Sequence, residues 1–140
     1  MTGSSPRVAV LNVILAAALL LSGAAVAQDA ARIEKGSDAW NEAACYTCHG
    51  ENGQGGAGGE FPAGPNLRRT RLDRDGLAET ISCGRPNTKM PGWLDGAYRK
   101  VSCFDLPLGA PPEGTVLTEV LDADQIQALL DYLLAKIVGK

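Results

Sequence analysis

Cys45-Tyr46-Thr47-Cys48-His49 is the stretch from which the rest of the chain can be read. C-x-x-C-H is the spacing of covalent c-type haem attachment. Two thiols three residues apart lie on one face of a helical turn, so both can reach the vinyl groups on one edge of a porphyrin. His49 follows directly, placed to offer an imidazole nitrogen to the iron, and it is the chain's single histidine. Other uses of the pair fit less well. A zinc ribbon needs a second close pair of ligands, and Cys83 and Cys103 stand far apart. A thioredoxin-like redox motif needs βαβ units, and no such pattern is present. With one such motif and no internal repeat, one covalent haem c is expected.

The stretch before the motif sets the compartment. Arg7 closes a short start, Val8 to Leu21 is an apolar run interrupted by Asn12, and Ala25-Val26-Ala27 gives small-x-small before a cleavage site. Residues 1–27 therefore read as a secretory signal peptide and 28–140 as one domain of 113 residues. The alternative is an uncleaved anchor, since the weakly apolar run is about as long as a membrane span. Either way the remainder is exported, which points to the periplasm, and no membrane span is expected in the mature chain. Loss of the leader removes Arg7 alone, leaving twelve basic against 16 acidic residues, a balance of −4. Nucleic acid calls for a basic footprint, so it is not an expected partner. Aromatics make up only 5% of the chain, and a domain of this size buries a modest share of its surface. A buried porphyrin would supply the missing apolar mass.

Ala31 to Tyr46 is mostly helix-forming, with Gly36 and Trp40 on one face. Gly50 to Gly59 holds six glycines in ten residues and reads as a surface loop; it lacks the lysine and the strand-to-helix setting of a phosphate loop. Gly64-Pro65-Asn66-Leu67 follows. The order C-x-x-C-H, glycine-rich loop, G-P-N-L, a later Met-Pro and a last helix with a tyrosine resembles class I (mitochondrial-type) cytochromes c over nearly all of the mature chain. The resemblance implies that the carbonyl of Pro65 accepts a hydrogen bond from Nδ1 of His49, fixing the tautomer and raising ligand basicity. It also implies that Leu67 packs on the haem.

Four arginines crowd the next stretch, Arg68, Arg69, Arg71 and Arg74. They could form a solvated face, offset the haem propionates or guide a redox partner. Asp73 to Cys83 reads as a short helix capped by Asp73 or Asp75, with Leu77 and Ile81 inward and Gly84 suited to the position after its end. Then comes Cys83-Gly84-Arg85-Pro86-Asn87-Thr88-Lys89-Met90-Pro91-Gly92-Trp93. Apart from Met1, Met90 is the only methionine. Its thioether suits haem iron, and the family places its distal ligand in a loop before proline, so the resemblance implies axial ligation by His49 and Met90. Lys89 is the rival ligand, which would first have to lose its proton. Trp93 is expected to pack on the haem edge, either bonding a propionate through its indole or simply filling the core. Cys83 and Cys103 enclose this loop. In an oxidising compartment they are expected partners in a disulfide, with two free thiols as the alternative. The pair is not general to the family, but it resembles a subset of small bacterial periplasmic cytochromes whose loop reads C-G-R-P-x-T-x-M-P.

Cys103 to Val120, with Pro107, Pro111, Pro112, Gly109 and Gly114, reads as an irregular arm, longer than the family usually carries there. After Leu121, Asp122 and Gln125 have capping-box spacing. Ile126, Leu129, Leu130, Leu133 and Ile137 then make one apolar stripe. The resemblance implies that Gly36 and Trp40 on the first helix cross Tyr132 on the last. The expected fold is all-α, helices and long loops around one haem. Two filled axial positions imply an electron carrier rather than an enzyme, working between redox partners such as a dehydrogenase donor and an oxidase or cytochrome acceptor. Two other readings stand beside it: a dedicated haem subunit of a periplasmic dehydrogenase complex, and a haem sensor or peroxidase with an open distal site.

Overall fold

Two helix crossings and a small sheet position the motif. The computed structural model describes residues 28–56 and 61–140; residues 1–27, read above as a secretory signal, and 57–60 of the glycine-rich loop lie outside the described residues. Arg32–Lys140 forms the compact unit that carries the site. Helix α1 covers residues 28–42. It is followed by a short α2 (Tyr46–His49), a 3-10 turn (Leu67–Arg69), α3 (Arg74–Cys83), β1 (Gly92–Leu94), β2 (Leu117–Leu121) and α4 (Ala123–Lys136). Among the described residues no helix is long and apolar enough to cross a membrane.

The first helix does not run through to Tyr46. The amide of Cys45 bonds the carbonyl of Trp40 at 3.1 Å and that of Ala44 bonds Asn41 at 3.0 Å. These are the two crossed bonds of a Schellman end, with Ala44 at φ +48 in the place where glycine is usual. An alanine there hides the stop from sequence inspection. The break matters, because it turns the chain so that Cys45 starts a new helical turn.

The other two helices begin at the expected caps. Asp73 Oδ1 accepts from the Gly76 amide at 2.9 Å, and α3 ends at Gly84, φ +72. At α4, Asp122 Oδ1 accepts from the Gln125 amide at 2.7 Å, while the Gln125 side chain accepts from the Asp122 amide at 2.9 Å. A reciprocal pair of this kind contributes about 1 kcal/mol. Ile126, Leu129, Leu130, Leu133 and Ile137 are buried as one stripe against Ala39, Trp40 and Ala43 of the α1 region and Leu77 and Ile81 of α3.

Gly36 sits at the crossing of α1 and α4. A Cβ there would lie 2.0 Å from the Ala128 carbonyl oxygen and 2.7 Å from the Tyr132 Cβ. Trp40 packs on Tyr132 with ring centroids 6.3 Å apart at a tilt of 48°, a favoured aromatic arrangement. Ion pairs flank the crossing, Lys35 with Asp124 and Arg32 with Asp131. Burial pushes the Asp131 carboxyl up, but the guanidiniums of Arg32 and Arg74 outweigh it and hold the group below the usual carboxylate range. In an ordinary helix Gly→Ala gains about 1 kcal/mol. Here the sign reverses, because the methyl meets backbone and the helices must move apart. Gly36→Ala is expected to cost about 2 kcal/mol in a denaturant titration.

The expectation of an all-α fold needs correction. β1 and β2 form a two-stranded parallel sheet, with Gly92 opposite Leu117 and Leu94 opposite Leu121 and an irregularity between them. The arm expected to be irregular as far as Val120 becomes a strand at Leu117. The physical reason lies in Val116-Leu117-Thr118-Glu119-Val120-Leu121, rich in β-branched and apolar residues. It finds a partner only because β1 follows the methionine loop.

Candidate functional site

The break at Ala44 fixes the geometry of the C-x-x-C-H run. Cys45 is the N-cap of α2 and accepts the His49 amide at 3.0 Å. One turn therefore carries both thiols and the imidazole. Cys45 and Cys48 are unbridged and half-buried. Burial pushes the Cys45 thiol up to about 12, so it stays protonated at neutral pH.

His49 is 7% exposed, and its Nδ1 lies 3.0 Å from the Pro65 carbonyl oxygen. A carbonyl can only accept, so Nδ1 carries a proton, and in that tautomer of the neutral ring Nε2 has the lone pair that a metal would take. Backbone bonds lay the G-P-N-L stretch against α2 and the loop that follows it: the Gly64 amide donates to the Cys48 carbonyl at 2.8 Å and the Leu67 amide to the Gly53 carbonyl at 2.8 Å. Asn66 Oδ1 caps the 3-10 turn through the Arg68 amide at 2.9 Å. Leu67, at its start, packs against the core.

The methionine loop leaves α3 at Cys83, whose sulfur is bonded to Cys103 with a Cα–Cα distance of 5.8 Å. The loop then closes on itself. The Arg85 amide donates to the Met90 carbonyl at 3.0 Å, Thr88 Oγ1 donates to the Arg85 carbonyl at 2.7 Å, and the Met90 amide donates to Thr88 Oγ1 at 3.2 Å. Met90 is half-buried against the core while Lys89 beside it is exposed. The rival ligand thus faces water and the thioether faces in. Trp93, the middle residue of β1, packs against the same core.

These residues can be tested for fit to a haem. Cys45, Leu67, Met90 and Trp93 all border one hydrophobic cluster, as a porphyrin face requires. The indole nitrogen of Trp93 is buried with no hydrogen-bond partner among the described residues. An indole N–H only donates, so it lacks an acceptor, and a haem propionate is a carboxylate acceptor. A buried donor left unpaired is costly. Unbridged thiols, an imidazole with Nε2 to spare and this unpaired donor fit the group. The hydroxyls of Tyr98 and Thr115 are buried beside each other, and neither was singled out from the sequence. A buried polar group leaves no mark in a pattern of apolar residues.

Of the four crowded arginines, Arg74 donates to Asp131 at 2.6 Å and to the Gln127 side chain at 3.0 Å, and Arg68 donates to the Asn52 carbonyl at 2.8 Å. These two tie the structure together. Arg69 and Arg71 are exposed. A broad open concavity of about 580 Å³ lies elsewhere, on the arm, lined by Arg99 and Leu108 to Pro111, and it contains none of the residues above.

Comparison with known proteins agrees with this chemistry. Residues 31–100 match the family described as cytochrome c oxidase, cbb3-type, subunit III. The match contains the C-x-x-C-H run and Met90. The chain is also 38% identical over 96 residues to cytochrome c55X of Stutzerimonas stutzeri, covering 66% of this chain and 80% of that protein. No solved structure matches the chain.

Proposed function

From the premise that this chain belongs to the c-type cytochromes and binds covalent haem c, we propose that it is a periplasmic carrier of single electrons with His49 and Met90 as the axial ligands. The observation that carries this reading is the pair of inward-facing donors: His49 with Nδ1 committed to Pro65, and Met90 turned to the core beside an exposed Lys89. Bound haem supplies an iron that takes up and returns one electron. The chain's residues do the rest. Cys45 and Cys48 would hold the macrocycle, Pro65 would fix the imidazole, Leu67 and Trp93 would exclude water, and the Trp93 indole would donate to a propionate. With both His49 and Met90 given to the iron, no place would remain for a substrate, and a thioether beside an imidazole in the ligand set would raise the reduction potential.

Export is supported by the leader-like residues 1–27 and by a Cys83–Cys103 disulfide, which persists in oxidising compartments. Partners are redox proteins that dock briefly where the haem edge emerges, and small transient contacts suit such encounters. A second reading, a dedicated haem subunit of a dehydrogenase complex, is favoured by one observation. Val101, just before the arm, and Phe104, Leu106, Leu108, Val116 and Val120 along it all expose apolar surface, of the kind a permanent interface would cover. The readings part on whether the exported protein runs as a lone monomer or copurifies with a catalytic subunit.

The test of the ligand set is potentiometric. The wild type is expected to titrate as a single one-electron couple. Met90→Ala is expected to lower its midpoint by well over ~59 mV, the span of a tenfold change in a one-electron equilibrium. A variant whose midpoint stays at the wild-type value would remove Met90 from the iron.

A further inference from the structure

We propose that the arm from Cys103 to β2 is a strap that holds Met90 in position, with Gly114 as its positioning residue; this rests on Met90 being an axial ligand. Three observations carry it. First, the arm grips the methionine loop on both sides of Met90. The Asn87 amide donates to the Gly114 carbonyl at 3.0 Å, and the Gly92 amide donates to the Val116 carbonyl at 2.8 Å. The loop's own bonds, Arg85 to Met90 and Met90 to Thr88, close only its interior. Second, the arm is fixed at its far ends. Cys103 is bonded to Cys83 at one end. At the other, β2 pairs with β1, and the Asp95 amide donates to Leu121 at 2.8 Å. Its middle is tied by the Gly109 amide to the Tyr98 carbonyl at 2.8 Å, and Tyr98 is 1% exposed.

Third, the contact itself needs a glycine. Pro112 to Thr115 is a turn closed by the Thr115 amide on the Pro112 carbonyl at 3.2 Å, with Gly114 at φ +75 in its third position. That is the place type II turns reserve for glycine. Opposite it stands Asn87, itself at φ +60. A Cβ on Gly114 would lie 2.5 Å from Asn87 Oδ1 and 3.3 Å from the Asn87 amide. A Cβ there displaces the Asn87 side chain and crowds its amide three residues before Met90, and a β-branched residue also opposes the left-handed backbone that aims the carbonyl. Gly109, on the same arm, has nothing within 4 Å of its would-be Cβ and no positive φ.

A strap acts on the ligand's off-state, so the readout is competition for the iron. Ferric holoprotein is titrated with imidazole while the sulfur-to-iron charge-transfer band is followed, for wild type, Gly114→Val and Gly109→Val. Wild type is expected to show the band and bind imidazole weakly. Gly114→Val is expected to bind imidazole about tenfold more tightly, the change a backbone penalty of this kind corresponds to, and Gly109→Val to stay within about twofold of wild type. A Gly114→Val protein with wild-type imidazole affinity overturns the strap, as does an equal gain in Gly109→Val. A wild type without the band overturns the His49/Met90 reading and the strap with it, a different result from a banded wild type matched by its variant. Should Gly114→Val fail to fold, amide exchange in the ferrous wild type decides. Asn87 and Gly92 are expected to exchange at least about a hundredfold more slowly than free amides, a protection that closed backbone bonds confer; exchange at the free rate overturns the strap.

Discussion

Cys48→Ala is expected to leave the haem held by a single thioether at Cys45, and Cys45→Ala with Cys48→Ala to leave none. Haem of the single variant should resist acid–organic extraction yet show the shifted pyridine spectrum of a porphyrin with one unreacted vinyl. Haem of the double variant should extract completely. The effect is expected to reach beyond attachment, because a bound macrocycle would fill part of the core. Leu67, Met90 and Trp93 are only partly buried against the cluster, and the buried Trp93 indole has no hydrogen-bond partner among the described residues. A chain of this size with so few aromatics has little apolar area to spare, so the double variant is expected to lose cooperative unfolding altogether. Retention of a two-thioether spectrum in Cys48→Ala would contradict attachment through α2.

The second large effect is expected from Cys83→Ala with Cys103→Ala. The bridge spans a sequence separation of 20, for which loop-closure entropy alone gives about 3 kcal/mol. Cys83 and Cys103 are buried, at 2% and 0% exposure, so the missing sulfurs also leave a void. The local consequence is the informative one. Met90 lies between the bridged residues, and removal of the bridge frees both the root of its loop and the root of the strap. Cyanide should displace the methionine more readily in the double variant, along with the loss in denaturant midpoint. A variant that loses stability but keeps the wild-type cyanide affinity would leave the bridge a structural link with no bearing on the ligand.

How far the sequence foretold this arrangement depends on the range of the forces involved. The C-x-x-C-H run, the caps at Asp73 and Asp122 and the stripe from Ile126 to Ile137 are local patterns, set by residues within one or two turns of each other. They are readable because the physics is equally local. The end of α1 was hidden because Ala44 occupies a left-handed position that sequence normally marks with glycine. The sheet was hidden for a different reason. Gly92 pairs with Leu117 across a span that holds three prolines and a disulfide half, and neither strand is long enough to announce itself. The roles of Arg68 and Arg74 depend on partners at Asn52 and Asp131, which a run of like charges does not reveal. The arm was visible as an insertion, and its grip on the methionine loop was not, because backbone carbonyls carry no residue label.

The most direct test of a closed His49/Met90 iron is the optical spectrum of the holoprotein, ferric and ferrous, with and without carbon monoxide. The expected result is a sulfur-to-iron charge-transfer band in the ferric state and a ferrous spectrum that carbon monoxide leaves unchanged. A ferric spectrum without the band, together with a ferrous form that binds carbon monoxide, would contradict it and make the protein a sensor or catalyst with an open distal site.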